Sequence, residues 1–254
     1  MKKNETAPGR AHSELHTVYM EIVRRRRGET VSRRQTFRYE MRDAADTVAT
    51  ALKDLETRTD LRDAEGEPAE PVIWECSCLQ RKCGACAMVI NGRPALACDS
   101  PLRLLPEKIV LEPLRKFPVV ADLQTDRGIM QKNLREMRLW MEREAVLNEK
   151  KAEDVYEASR CLQCGLCLEV CPNFDPEGGF TGAAAAVPAA RVLTASPDAG
   201  KGRLPEEYRK RVFEGCGKSL ACRDICPAGI DTGEMLAQSN ALAVWKRKRK
   251  SRKK

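Results

Sequence analysis

Residues 161–172 read CLQCGLCLEVCP, and residues 216–227 read CGKSLACRDICP. In the first run Cys161, Cys164 and Cys167 recur at every third position, and Cys171 precedes Pro172. Cysteines at that spacing wrap three corners of a cubane iron–sulfide group, and the fourth points away to a second group. A partner run is therefore required, and Cys216, Cys222 and Cys226, followed by Pro227, provide it. Laying the first run over the second puts Ser219 where the middle cysteine would stand. Exchange of the outlying cysteines then gives a [4Fe–4S] cluster on Cys161, Cys164, Cys167 and Cys226. Only Cys171, Cys216 and Cys222 are left for the other site, and three thiolates with one open corner predict a [3Fe–4S] cluster. The alternative is a fourth iron held by the Ser219 oxygen or by water, for which oxygen is a poorer match than thiolate.

Upstream lies another group, Cys78-x4-Cys83-x2-Cys86-x11-Cys98. Three close cysteines and a distant fourth follow the plant-type ferredoxin order that binds [2Fe–2S]. Gly84 and Ala85 keep the tight turn free of bulk, and Cys98, on a different strand, ties the loop to a sheet. Four cysteines also suit tetrahedral zinc, although zinc ribbons pair two CxxC turns and this group has one. Cys76 has no place in the spacing and reads as a buried thiol that is not a ligand.

The rest of the composition points the same way. Twelve cysteines mean disulfides in an oxidising compartment or metal ligands in a reducing one. The opening MKKNETAPGRAHSELH contains no apolar stretch for a secretory signal. No segment approaches the roughly 20 apolar residues that cross a bilayer, so cytoplasmic residence and metal ligation are expected. The 254 residues are enough for two modest domains. The net charge of +8 is concentrated in residues 246–254, KRKRKSRKK, which carry eight positive charges and leave the remainder balanced. Such a run reads as a solvated tail or as an attachment to an anionic membrane face. No nucleic-acid partner is expected.

Along the chain, residues 1–15 are polar and expected to be disordered. Thr17–Val23 and Gln35–Met41 alternate apolar and polar residues around Gly28, which predicts a hairpin. Asp46-Thr47 offers an N-cap to a helix whose apolar positions 48, 51, 52 and 55 share a face. Ala87–Ile90 and Lys108–Glu112 read as strands, with Asn91-Gly92 as a hairpin turn. The sum is a small α+β sheet crossed by one helix. From Asp126 the sequence is long, charged and helical in texture up to the second cysteine group. Residues 178–202 hold an alanine run interrupted by Pro188 and Pro197, expected as a short helix between loops. A final helix is predicted over Thr232–Val244. The domain boundary is placed near Phe117-Pro118, giving 16–118 and 119–245, followed by the tail.

Taken in order, CLQRKCGACAMVINGRPALAC, LEPLRKFPVVADLQTDR, CLQCGLCLEVCPN and CGKSLACRDICPAGI resemble the iron–sulfur subunits of succinate dehydrogenase and fumarate reductase from about Thr17 to Leu242. The resemblance implies an N-terminal β-grasp plant-type ferredoxin domain followed by an all-α bacterial-ferredoxin-like domain. It implies a flavoprotein partner carrying FAD on the [2Fe–2S] side and a membrane anchor, with or without haem, and quinone on the [3Fe–4S] side. The chain would sit peripherally on the cytoplasmic face of the cell membrane. Many members read R-E-G after the first ligand cysteine, whereas Leu79-Gln80-Arg81 here is closer to forms from menaquinone-using bacteria. Many quinone pockets use a tryptophan and a histidine where this chain has Asn173-Phe174-Asp175 and Gly217, which again favours menaquinone. Pro172, Lys218 and Ser219 fall near the quinone by position.

Such a chain carries no catalytic residue. His12 and His16 both lie in the N-terminal segment, and the dehydrogenation would belong to the partner's flavin. A free-standing polyferredoxin, a related dicarboxylate oxidoreductase subunit and a zinc-bound structural protein are the other readings.

Overall fold

The computed structural model describes residues 16–197 and 201–245. The expected disordered N-terminus, with His12, and the basic tail fall outside the described residues. Strand β1 (Thr17–Arg24) buries Val18, Met20 and Ile22 on one face, and β2 (Arg33–Glu40) pairs with it antiparallel and buries Phe37 and Tyr39. Gly28, at φ +84°, lies in the link between them, as the hairpin reading expected. Helix α1 (Val48–Thr57) starts at a capping box in which Thr47 and Thr50 satisfy each other's backbone N–H. Val48, Ala51, Leu52 and Leu55 form its buried face. Asp46 fixes the start of this helix against the sheet. Its Oδ2 accepts from the Tyr39 hydroxyl at 2.9 Å and from the Arg42 N–H at 2.8 Å. Burial, then the neighbouring Asp46 carboxylate, pushes the Tyr39 phenol up to about 12.

The Asn91-Gly92 turn is present, with φ of +49° and +77°, but it joins β3 (Ala87–Ile90) to β4 (Arg93–Leu96) and not to the strand at Lys108. Pro94 hid β4 from the sequence reading. It is tolerated because β4 is the sheet's edge, where one side of the strand has no partner to bond. Strand β5 (Lys108–Glu112) lies in the middle, antiparallel to β3 and parallel to β1, and the order among the described residues is β2-β1-β5-β3-β4. Asn91 clips the turn to β5 by exchanging two hydrogen bonds with Val110, at 2.7 and 2.8 Å. Cys98 follows β4 directly, in a single 3-10 turn at Ala97–Asp99.

A short ribbon, β6 (Val119–Ala121) and β7 (Gln124–Thr125), follows the expected domain boundary, yet it is bonded back to the first sheet. Asp122 at its tip accepts from the backbone N–H of Arg25 at 2.8 Å and of Ile73 at 2.9 Å. Arg24 Nε stands 3.2 Å from the Asp122 carboxylate, with both side chains 5% exposed. The Arg24 guanidinium also donates to Gln35 and to the Glu70 and Pro71 carbonyls. So enclosed, the ion pair has its other hydrogen-bonding capacity largely satisfied, which makes a buried charge tolerable.

The second half is helical. Helix α2 (Gly128–Glu136) and α3 (Glu149–Ser159) match the expected texture, but residues 137–148 between them are irregular, with Arg138 left-handed at φ +53°. Asn148 caps α3 through the Lys151 N–H at 3.0 Å, and so was the start signal for a separate helix in this stretch. One-turn helices α4 (Leu166–Glu169) and α7 (Ala221–Asp224) each lead into a Cys-Pro pair. Helix α6 (Arg203–Tyr208) widens into a π-turn at Arg209–Phe213, and α8 (Thr232–Asn240) into another at Ala241–Trp245. At the centre is α5 (Gly182–Ala195), 14 residues long with Pro188 inside it. It is far more than the short helix expected. Ala183 to Val187, Ala189, Ala190 and Leu193 are all buried, the signature of a helix enclosed along most of its surface, with Arg191 exposed. No helix among the described residues is long and apolar enough to cross a membrane.

Asp122→Ala is expected to lower stability by roughly 3–5 kcal/mol, because it strands the buried Arg24 charge. Adding Arg24→Leu should recover part of that loss. Urea denaturation of the single and double variants checks this, and equal losses in both would show that the ion pair is not the source.

Candidate metal centres

The loop carrying the first cysteine group is curled by three left-handed residues, Leu79 at φ +53°, Arg81 at +58° and Gly84 at +72°. The curl turns backbone N–H groups inward, onto sulfur, as in an anion-binding nest. Gln80 and Lys82 each donate to Cys78 Sγ at 3.3 Å, Arg81 donates to Cys98 Sγ at 3.3 Å, and Ala85 to Cys83 Sγ at 3.5 Å. Cys86 and Cys98 bring their sulfurs to 3.4 Å. The two N–H groups on Cys78 draw its thiol down to about 7, while burial pushes Cys86 up to about 12. Cys76 is not among the sulfurs these bonds join. It is partly exposed, where the sequence reading expected a buried thiol.

In the helical half, a largely apolar cavity is lined by Cys161, Cys164, Cys167 and Cys226, with Cys222 also on its wall and Ala183, Ala184, Val187 and Ile230 filling the gaps. A second cavity is lined by Cys171, Cys216 and Cys222, together with Ser219 and Lys218. The outlying cysteine of each run thus stands in the other run's cavity. Left-handed turns shape both walls, at Gln163 and Gly165 in one and at Lys218 and Leu220 in the other. Burial raises the thiols of Cys161, Cys167 and Cys222 and takes Cys164 to about 11. Cys222 is 3.1 Å from the Thr232 hydroxyl. Pro172, Lys218 and Ser219 are exposed. Lys218 also borders an open cavity beside Cys216 that is walled by Phe213, Leu236 and Trp245.

The donor set at all three places is sulfur. Among the described residues no three His, Cys, Asp or Glu side chains converge on a point where one ion would touch them all. Sulfurs that ring a volume fit a polynuclear iron–sulfide group better than a single tetrahedral ion.

Residues other than the cysteines hold the centres together, and of these the sequence reading had given a part only to Gly84. Gly84 lies so close to the second group that an added Cβ would meet Cys164 Cβ at 2.6 Å. Arg127 bridges the same two loops, donating to the Gly84 and Cys164 carbonyls at 2.9 and 3.0 Å and to Ala85 at 3.1 Å. Glu75 neutralises it. Glu169, buried at the end of α4, accepts from the backbone N–H of Arg115 at 2.9 Å and Lys116 at 3.0 Å. Lys116 Nζ in turn donates to the Cys171 and Phe174 carbonyls. Position beside a cysteine was the available signal for Glu169. Arg127 closes the segment 111–127 and had no signal of its own.

Two family models match in chain order, a 2Fe-2S iron-sulfur cluster binding domain over residues 19–132 and a 4Fe-4S dicluster domain over residues 157–230. The succinate dehydrogenase iron-sulfur subunit of Bacillus subtilis is 32% identical over 240 residues, which are 90% of this chain and 93% of that protein. This chain belongs to the family of succinate dehydrogenase and fumarate reductase iron–sulfur subunits. The fumarate reductase iron-sulfur subunit of Wolinella succinogenes is 29% identical over 171 residues, 61% of this chain and 70% of that one. A chain of the Mycobacterium smegmatis Sdh1 complex in the apo form shares the fold, with a TM-score of 0.75 at 21% identity, over 92% of this chain and 98% of that chain. As a succinate dehydrogenase/fumarate reductase iron–sulfur subunit, the chain serves electron transfer within an oxidoreductase complex. The zinc reading of the first group is set aside by the 2Fe-2S match, and the free-standing polyferredoxin by membership of this family.

Gly84→Ala forces a side chain into Cys164 at a left-handed position, a clash and strain worth about 1–3 kcal/mol. Iron and acid-labile sulfide per chain are expected to fall in anaerobically purified protein. Unchanged iron content would show that the two loops can part without loss.

Proposed function

We propose that this chain holds a [2Fe–2S] cluster on Cys78, Cys83, Cys86 and Cys98, a [4Fe–4S] cluster on Cys161, Cys164, Cys167 and Cys226, and a [3Fe–4S] cluster on Cys171, Cys216 and Cys222. It relays single electrons between the FAD of a flavoprotein subunit and quinone at a membrane anchor. The observation that carries this reading is the contiguity of the three sulfur sites. The first meets the second where Gly84 lies against Cys164, and the second meets the third at Cys222, which lines both helical cavities. When bound, such clusters take up and release one electron at a time. The chain's own residues hold the sulfurs in a row, exclude water from the central cavity with Ala183, Ala184 and Val187, and point N–H groups at the first site.

The quinone end lies, in this proposal, near Pro172, Lys218 and Ser219. Of these, Lys218 borders the open cavity next to Cys216, Ser219 lines the neighbouring sulfur cavity, and Pro172 lines neither. Menaquinone is favoured by the residues at 79–81, 173–175 and 217. The chain is then a peripheral subunit on the cytoplasmic face, joined to a flavoprotein and to an anchor with or without haem. The two-part division belongs to the same proposal, with its boundary moved past Thr125, because the ribbon is bonded to the first sheet.

Anaerobic isolation of the complex followed by electron paramagnetic resonance tests the assignment. The oxidised protein should show a three-iron signal, and Ser219→Cys should supply the missing thiolate and cut that signal by more than half in favour of a four-iron one. Native material without a three-iron species would refute it.

A further inference from the structure

The amide of Gln163 makes two bonds that belong to different parts of the molecule. Its Nε2 donates to Cys161 Sγ at 3.2 Å and to the Ala184 carbonyl at 2.9 Å. The second bond has a specific origin. In α5 the Ala184 carbonyl would normally accept from the N–H of residue 188, but residue 188 is proline and has none. Gln163 replaces that donor from outside the helix. Because both partners are acceptors, the amide can lie only one way round, and its Oε1 is left buried without a hydrogen bond. The backbone at Gln163 is also left-handed, at φ +50°, a conformation that a side chain disfavours. An orphaned oxygen and a strained backbone are accepted at one residue whose gain is a donor fixed on a cysteine sulfur.

We propose that Gln163 is a positioning residue that sets the reduction potential of the central cluster through its N–H···S bond to Cys161, and that Pro188 fixes the amide in that orientation. The proposal rests on the assignment of Cys161 to the [4Fe–4S] cluster made above. The sign follows from charge. Reduction adds a negative charge to the cluster and its sulfurs, and a donor dipole aimed at sulfur stabilises the more negative state. Gln163 therefore raises the potential of the central cluster relative to a chain without the donor. The Ala184 carbonyl, pinned by the lack of an N–H at 188, holds the amide by its second hydrogen and keeps it from turning away from sulfur.

The test is a redox titration of the four-iron signal in the anaerobically isolated complex, comparing wild type, Gln163→Leu, Pro188→Ala and the double variant. Gln163→Leu should shift the midpoint downward. Pro188→Ala, which gives Ala184 a backbone donor that competes with Gln163, should lower the midpoint by part of the Gln163→Leu shift. A midpoint equal to wild type in that variant would overturn the part assigned to Pro188. In the double variant the helix carbonyl is satisfied again, so thermal stability should return toward wild type while the midpoint stays low. A midpoint in Gln163→Leu equal to wild type would overturn the proposal. So would recovery of the potential by Pro188→Ala in the double variant, since the effect would then pass through the helix and not through sulfur. Loss of the cluster from the double variant alone would also overturn it, by making Gln163 an assembly residue. A four-iron signal that survives unchanged in Cys161→Ala, which offers no ligating atom, would instead refute the ligand assignment beneath it, a result distinct from any given by the Gln163 variants.

Discussion

Two backbones approach at Gly84 and Cys164 with no room for a methyl group between them, and the order of the whole molecule follows from that approach. An electron carrier must bring its redox groups close without letting the intervening protein collapse onto them. Here the contact is made by a residue with no side chain, in a conformation that such a residue adopts freely. Arg127 then holds three carbonyls from the two loops in one guanidinium fork. A planar cation with several fixed donors suits this task, because it satisfies carbonyls on both sides of a seam and adds positive charge beside groups that carry negative charge. Glu169 and Lys116 repeat the device on the other flank with the polarities exchanged. The seam is polar and closed, and the sheet and the helices become one body.

Much of this was legible in the residue order. The cysteine spacings announced the three sulfur groups, and the alternation in β1 and β2 and the cap at Thr47 announced the sheet and its helix. What escaped reading has a common physical source. Strand β4 contains Pro94, which argues against a strand in general and is harmless at an edge. The helix at residues 182–195 contains Pro188, which argues against a helix in general and is harmless where Gln163 supplies the absent donor. In both cases a local rule gave way to a long-range partner that has no signature in the neighbouring sequence. The break at residues 137–148 is the converse, since Asn148 was a local start signal for a new helix in plain view within a helical texture.

The position of α5 explains why alanine dominates it. A helix that is buried along most of its length and forms part of the wall of both sulfur cavities keeps long side chains off its buried faces, where they would occupy the cavities. Its one long polar side chain, Arg191, is exposed. Alanine gives the highest intrinsic helix propensity with the least bulk, and the larger Val187 and Leu193 are buried among their neighbours. The low aromatic content of the chain, 5%, fits an interior of this kind. Helix α5 is the wall of a container, and its composition is set by what must fit inside.

The placement of Cys171 and Cys226 in each other's cavities bears on how the protein is made. The first cysteine run leaves the ribosome well before the second, yet with the proposed ligand exchange its cavity is completed only by Cys226, near the end of the helical half. Neither helical site can be completed by a nascent chain that stops short of the second run, since on that assignment one needs Cys222 and the other Cys226. The two helical sites would then be completed only in a nearly full-length chain, whereas the first group, ending at Cys98, is complete much earlier. On that assignment the crossed cysteines tie the completion of each helical site to the synthesis of both runs.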